Sequence, residues 1–365
     1  MPVIRRSSLS WVVVVPVLAL VVLAFTWGRD LGGVVVGLVA VVLGAAVLAA
    51  VHHAEVVAHR VGEPFGSLVL AVAVTIIEVA LIITLMLSGG AKTASLPRDT
   101  VFAAVMITCN GIVGLSLLVG AIRHHVVSFN AEGTGAALAT VATLATLSLV
   151  LPTFTTSRPG PEFSPPQLAF AAIASLVLYV AFVLTQTVRH RDFFLPVTSE
   201  GLVIEAEEHA DPPSSRAALT SLGLLLLALV AVVGLAKVES PAIEAGVAAA
   251  GLPASFVGVV IALLVLLPET LAATRNALRD RIQTSLNLAL GSALASIGLT
   301  IPAIAVATIW IDVPLLLGLG ATQMVLLALT LIVTVLTVVP GRATRLQGVV
   351  HLVLLAAFVF LAINP

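Results

Sequence analysis

Charged side chains are scarce in this sequence. Of its 365 residues, 10% are Asp, Glu, Lys or Arg, whereas 60% are hydrophobic. Soluble domains carry about 25% charged residues, so the composition excludes an ordinary soluble fold. The formal net charge is −1 and no long basic tract is present, which argues against nucleic acid as a partner.

Cysteine is nearly absent as well. Cys109 is the single cysteine and lies within an apolar run, so an intrachain disulfide is excluded. The sequence also lacks an H-E-x-x-H metal helix, a G-x-S-x-G elbow and a Walker loop. We therefore expect a protein that is not an enzyme and holds no resident cofactor.

Long apolar runs, by contrast, recur along almost the whole chain. A run of about 20 residues crosses the hydrocarbon core as a helix, and continuously apolar runs do not suit a transmembrane barrel. The pattern predicts an all-α polytopic membrane protein that uses the lipid bilayer as its solvent. It contains about eleven spans, at residues 10–27, 32–51, 65–87, 100–122, 134–151, 167–188, 217–236, 247–268, 284–309, 314–338 and 346–363.

The distribution of basic residues predicts how these spans are oriented in the membrane. When the spans alternate in direction, twelve of the seventeen Lys and Arg residues fall on the side that holds the N-terminus. Cytoplasmic loops carry the positive excess in membrane proteins. The sequence therefore predicts a cytoplasmic N-terminus and a C-terminus outside.

One polar stretch divides the spans and is predicted to be an acidic cytoplasmic linker, residues 191–216. Its acidic cluster is a candidate regulatory segment, with a plain solvated linker as the alternative. The cluster consists of Glu205, Glu207, Glu208 and His209.

The linker separates two groups of five spans. We predict an N-terminal transmembrane helix at residues 1–29, a first five-helix repeat at 30–190 and a second at 217–365. Because five is odd, duplicated halves must have opposite orientations, which is the inverted-repeat plan of many secondary transporters. Residues 108–115 can be aligned with residues 290–297, so that Asn110 matches Ser292.

Two of the eighteen acidic residues, Glu78 and Glu269, are predicted to lie deep in the membrane, one in each half. A charge in the bilayer costs several kcal/mol unless it faces a partner or water. The alternative is a purely structural role, in which a protonated glutamate is hydrogen-bonded between helices. The matching position in each half favours a shared transport role.

Further oxygen ligands are expected near these carboxylates. Thr75 and Asn110 accompany Glu78, Ser292 is the counterpart of Asn110, and Pro268 is predicted to break its helix and free a carbonyl beside Glu269. Two carboxylates with neutral oxygens suit Ca²⁺, which takes six to eight oxygen ligands. Once the cation leaves, repulsion between the carboxylates favours protons in its place, and this competition supplies exchange.

The same segments resemble a known family. Residues 267–273 and 285–293 resemble the acidic helix and the Gly-Ser helix of the cation/proton exchanger family in the calcium/cation antiporter superfamily, and residues 75–78 and 109–111 resemble the first repeat. The likeness is strongest to the bacterial calcium/proton antiporter branch. Many members have Gly-Asn-x-x-Glu where this chain has residues 74–78 and 265–269, so the Asn ligand is replaced or absent.

The resemblance implies a secondary active antiporter that exchanges Ca²⁺ for protons by alternating access in a bacterial inner membrane. Glu78 and Glu269 would bind either the cation or the protons. A Na⁺(K⁺)/H⁺ antiporter on the same scaffold stays open, and so does a cation channel, because acidic rings also select cations. A homo-oligomer is likewise left open.

Overall fold

The structure is a computed structural model that describes residues 11–29, 31–62, 65–197, 212–311 and 313–365. The candidate regulatory residues Glu205, Glu207, Glu208 and His209 lie outside these ranges. Within them the chain is almost entirely helical, which confirms the predicted fold class. Ten helices in these ranges are long and apolar enough to cross a membrane, and a shorter apolar helix precedes them.

The helices are as follows: α1 Trp11–Thr26, α2 Gly33–Val61, α3 Phe65–Gly89, α4 Leu96–Met106, α5 Val113–His124, α6 Ala131–Ala145, α7 Pro165–Leu184, α8 Ser215–Ala249, α9 Phe256–Leu278, α10 Ile282–Ala307, α11 Ala321–Val338 and α12 Arg345–Ile363. A π-helical segment, Ile107–Ile112, joins α4 and α5 into one membrane-crossing helix. Two short strands, β1 Val127–Ser128 and β2 Arg342–Ala343, pair antiparallel.

Contacts between loops show which helix ends share a face of the molecule. The β1–β2 pair joins the α5–α6 loop to the α11–α12 loop, and Arg60 at the end of α2 donates to Ser215 at the start of α8. On the other face, the backbone of Leu316 bonds to Ala94 and that of Leu319 to Leu149. We call the face where α1 begins the N-side face, which is predicted to be cytoplasmic, and the opposite one the far face.

The packing repeats between the halves. Helix α2 packs against α8, so the first helices of the two groups of five face each other, while α7 packs on α10 as α12 packs on α5. Helix α1 lies against α2 and α8, outside the duplicated set. One hydrophobic cluster joins α1, α2, α3 and α8 with part of α9 and the end of α10, and a second is built mainly from α4 to α7 and α9 to α12.

Three predicted spans differ from the observed helices. Helix α2 continues to Val61 instead of ending near residue 51, and α8 continues to Ala249 instead of ending near residue 236. Helix α9 begins at Phe256 and includes Glu269 well before its end, whereas the sequence placed this residue at the edge of a span. The added turns carry polar residues, some exposed and some buried, so hydropathy alone ended these spans too early.

Candidate functional site

Glu78 lies in the middle of α3 and is almost completely buried, with 3% exposure. Ser296 Oγ donates a hydrogen bond of 2.6 Å to Glu78 Oε1, and Thr300 Oγ1 donates one of 3.2 Å to Oε2. The two hydroxyls lie one turn apart on α10, so they reach the same carboxylate. Both oxygens of Glu78 are therefore held by neutral donors.

Glu269 on α9 is also buried, with 7% exposure. Its Oε2 has no hydrogen-bond partner among the described residues. Pro268 lies inside α9, but the helix continues through it, so the predicted break in the helix is wrong. A proline within a helix still removes one backbone donor, and the packing of neighbouring helices keeps the helix intact.

The two glutamates line one cavity of about 450 Å³. Its walls come from α3, α9, α10 and α7 with the π-helical segment Thr185–Arg189 that extends it. The charges of the two carboxylates are close enough to interact. The polar side chains that line it are Thr75, Glu78, Tyr179, Gln186, Glu269, Thr284, Asn287, Ser292 and Ser296. The cavity therefore offers two carboxylates, hydroxyls and amides to a small hydrated ion.

The cavity opens toward the N-side face. Thr284 lies in the first turn of α10 and Gln186 near the end of the helix that includes α7, whereas Ser296 and Glu78 lie at its inner end. Beyond Glu78 toward the far face, apolar side chains are tightly packed. They include Leu81, Ile82, Leu85, Val257, Ile261 and Ile304, all buried.

The structure groups most of the residues that the sequence proposed. Thr75 and Ser292 lie with Glu78 and Glu269 in the cavity wall. Two residues that directly contact Glu78, Ser296 and Thr300, were not predicted. The signal for them was the spacing of Ser292, Ser296 and Thr300, which places three hydroxyls along one face of a helix.

Asn110 is the exception, because the structure does not bring it to the cavity. It lies in the π-helical segment, where its Nδ2 donates to Thr330 Oγ1 at 2.9 Å and its Oδ1 lies 3.2 Å from His351 Nδ1. His351 Nε2 in turn lies 3.1 Å from Thr337 Oγ1. The added residue of a π turn changes which side chains face a neighbouring helix, and here Asn110 faces α11 and α12.

This second polar network does not include the two glutamates, and its side chains are buried. Asn110, Thr330 and His351 are each fully buried. The side-chain nitrogens and oxygens of Asn110 and His351 all have a partner, as buried polar groups require. The network connects the first half to the last two helices of the chain.

Comparison with known proteins supplies the remaining evidence. The model of the family described as sodium/calcium exchanger protein matches residues 30–188 and 220–364. The chain is 46% identical over 362 residues to y4hA of Sinorhizobium fredii, whose name assigns it ionic transport without naming an ion, and the match covers 97% of this chain and 96% of that protein. It is 35% identical over 347 residues to the sodium-potassium/proton antiporter ChaA of Escherichia coli, with 94% and 93% covered.

Solved structures share the fold. Native YfkE matches with a TM-score of 0.70 at 16% sequence identity, over 97% of this chain and 99% of that one. The H⁺/Ca²⁺ exchanger CAX matches with a TM-score of 0.68 at 14% identity, over 96% of this chain and 86% of that one. At these identities the likeness concerns the architecture of the chain and not its ion.

Proposed function

Because this chain belongs to the sodium/calcium exchanger protein family, and is a cation antiporter of its cation/proton exchanger type, we propose that it exchanges Ca²⁺ for protons. The observation that carries the proposal is the pair Glu78 and Glu269 in one buried cavity that opens to a single face. We propose the plasma membrane of a bacterium as its location. In this proposal the chain is a carrier without enzymatic activity or a resident cofactor.

The ligand chemistry supports a hard cation. Carboxylates and hydroxyls are oxygen donors of the kind that Ca²⁺ takes, and two carboxylates offset its two charges. Ser292 and Thr75 lie in the same wall, and water in the open cavity completes a coordination shell. Ser296 and Thr300 hold the carboxylate of Glu78 in place, so little ordering is needed when the cation arrives.

Competition for the two carboxylates supplies the coupling. Either one divalent cation or two protons neutralises Glu78 and Glu269, and both cannot do so at once. An empty site with two ionised carboxylates in a low-dielectric interior is costly, on the order of several kcal/mol. The loaded and the protonated forms are therefore the ones that change their accessible face, which gives exchange and not leakage.

Alternating access follows from the duplicated fold. The cavity is open on the N-side face and closed by packed apolar residues on the far face. In inverted-repeat transporters, the two halves exchange roles when the opposite face opens. With the N-side face cytoplasmic, as the distribution of basic residues predicts, this conformation faces inward.

Exchange of Na⁺ or K⁺ for protons is the second candidate. It is favoured by the 35% identity to a protein named sodium-potassium/proton antiporter. Monovalent cations use the same oxygen donors, and one ionised carboxylate suffices for one of them. Glu78, with both oxygens held by hydroxyl donors, would then be the principal ligand.

The test is cation-dependent proton flux in everted membrane vesicles acidified by respiration. We expect Ca²⁺ to release the proton gradient with the wild-type protein and not with Glu78→Gln or Glu269→Gln. Glu132→Gln, an exposed acidic residue on the N-side face, is the control and should behave as wild type. Release by Na⁺ or K⁺ alone would transfer the assignment to the second candidate, and cation flux without proton movement would identify a channel.

A further inference from the structure

A second pair of acidic residues repeats between the two halves. Glu55 precedes Gly62 by seven residues, and Glu244 precedes Gly251 by the same number; each glycine begins a Gly-x-Pro sequence. Both glycines follow the first helix of their half and have positive φ, 76° and 69°. Glu55 and Glu244 therefore occupy corresponding positions in α2 and α8.

Glu55 lies on the N-side half of α2, outside the wall of the open cavity. Helix α2 packs against α9, and the charges of Glu55 and Glu269 are close enough to interact. Glu55 is exposed, unlike Glu269. On its own helix, His52 and His59 are exposed on the same side, since residues three and four apart share a helix face.

Glu244 lies on the far face, where the path is closed. It lines a separate cavity of about 160 Å³ together with Thr93, Ser95 and Asp99. Its Oε1 is buried and has no hydrogen-bond partner among the described residues. Asp99 is already satisfied, because Arg98 contacts it at 2.8 Å and Ser95 donates to it at 2.9 Å.

Between them lie the central glutamates and the apolar barrier. The small cavity shares Leu85 and Val257 with the packed residues that close the far side. Glu269 presents a buried carboxylate oxygen without a partner to the large cavity, which independently indicates a ligand there. Glu55 and Glu244 thus lie near opposite ends of the path that the central pair would serve.

We propose that Glu55 and Glu244 are access carboxylates, Glu55 for the N-side face and Glu244 for the far face, each concentrating the transported cation next to the central site. The inference rests on the proposed function of Glu78 and Glu269 as the central cation site. Acidic groups in a cleft with low-dielectric walls raise the local concentration of cations and their association rate by about 10- to 1,000-fold. Glu55 is exposed in the conformation open to its face, and Glu244 is partly enclosed while its face is closed.

Sidedness provides the sharpest experiment. Cation-driven proton flux is measured in everted and in right-side-out vesicles with Ca²⁺, Na⁺ or K⁺, whichever the wild type exchanges. We expect Glu55→Gln to raise the cation KM about tenfold from the N-side face only, and Glu244→Gln to raise it from the far face only, with kcat little changed. Glu55→Asp, which keeps the charge, should restore the wild-type KM, and Glu132→Gln and Glu162→Gln are the matched controls for the two faces.

Ionic strength separates electrostatic access from a structural role. The KM of the wild type should rise with an inert salt because surface fields are screened, and Glu55→Gln should lose this dependence on the N-side face. Equal KM changes from both faces, or no change from either, would overturn the inference while wild-type exchange stands. Absence of exchange in the wild type would instead overturn the proposed function.

Discussion

The two carboxylates of the site occupy equivalent positions in a duplicated fold, but their surroundings differ. Glu78 receives hydroxyl donors on both oxygens from Ser296 and Thr300, whereas Glu269 has an oxygen without a partner. In the register that aligns Asn110 with Ser292, the counterparts of these hydroxyl residues are Gly114 and Leu118. Neither side chain can donate a hydrogen bond.

The packing of the first half explains the difference. A Cβ at Gly114 would lie 2.8 Å from the Cβ of His351, and one at Gly348 would lie 2.6 Å from the backbone nitrogen of Leu118. At the two positions where α10 carries hydroxyls, α5 therefore packs closely against α12. These donors hold both oxygens of Glu78 in one orientation, whereas the oxygen of Glu269 without a partner is available to whatever enters the cavity.

The largest expected effect comes from removing either charge. Glu78→Gln and Glu269→Gln should each lower exchange by more than about 100-fold, because a neutral amide cannot exchange a proton for a cation and buried charged groups contribute several kcal/mol. The measurement is initial proton flux in vesicles at matched protein levels. Retention of exchange by one variant would show that the carboxylates are unequal in necessity as well as in surroundings.

Removing the hydrogen bonds from Ser296 and Thr300 to Glu78 tests this asymmetry directly. Ser296→Ala removes a hydrogen bond to a charged group, which contributes about 1.5–3 kcal/mol, so the cation KM should rise by roughly tenfold or more. Thr300→Ala should have a smaller effect, since its bond to Glu78 is longer. Thr143→Ala, an exposed threonine on α6, is the control, and an unchanged KM in Ser296→Ala would show that cation binding does not depend on this hydrogen bond.

Asn110 and Ser292 extend the comparison to a pair with unlike surroundings. Asn110→Ala removes the Asn110 hydrogen bonds to His351 Nδ1 and Thr330 Oγ1 in a buried region, at a cost of about 1–3 kcal/mol, so the melting temperature in detergent should fall by several degrees. Ser292→Ala, in the cavity wall, should lower cation affinity with little loss of stability. The reverse pattern would mean that Asn110 is a ligand and that the network is incidental.

The smallest effect is expected where α10 lines open space. A Cβ at Gly291 would meet no atom within 4 Å, whereas one at Gly298 would lie 2.7 Å from the Cβ of Tyr179. Gly291→Ala should therefore keep the wild-type melting temperature and slow transport modestly by narrowing the cavity, while Gly298→Ala should destabilise the fold. Thermal unfolding and flux on the same preparations distinguish the two, and a destabilised Gly291→Ala would contradict an open cavity at that position.

Sequence reasoning reached the class of fold, the number of spans and the two glutamates because each follows from a large, local cost. Apolar runs must cross lipid, and an isolated charge such as Glu78 cannot be ignored at that depth. The ends of α2, α8 and α9 were missed, because a polar residue such as Glu55 inside a helix looks like a loop by composition. That Glu55 belongs to a continuous helix, α2, is visible only in the structure.

The sequence by itself determined that this protein spans the membrane, that its halves are inverted and that Glu78 and Glu269 are buried charges, although the structure buries Asp99 and Glu239 as well. The spans and their orientation follow from hydropathy and charge summed over many residues. A buried charge has a free-energy cost that marks it as functional. Only the tertiary structure decided that Ser296 and Thr300 hold Glu78, that Asn110 turns to His351, and that the cavity opens to one face. Those outcomes depend on helix rotation, and a single π turn between α4 and α5 is enough to change which side chains meet.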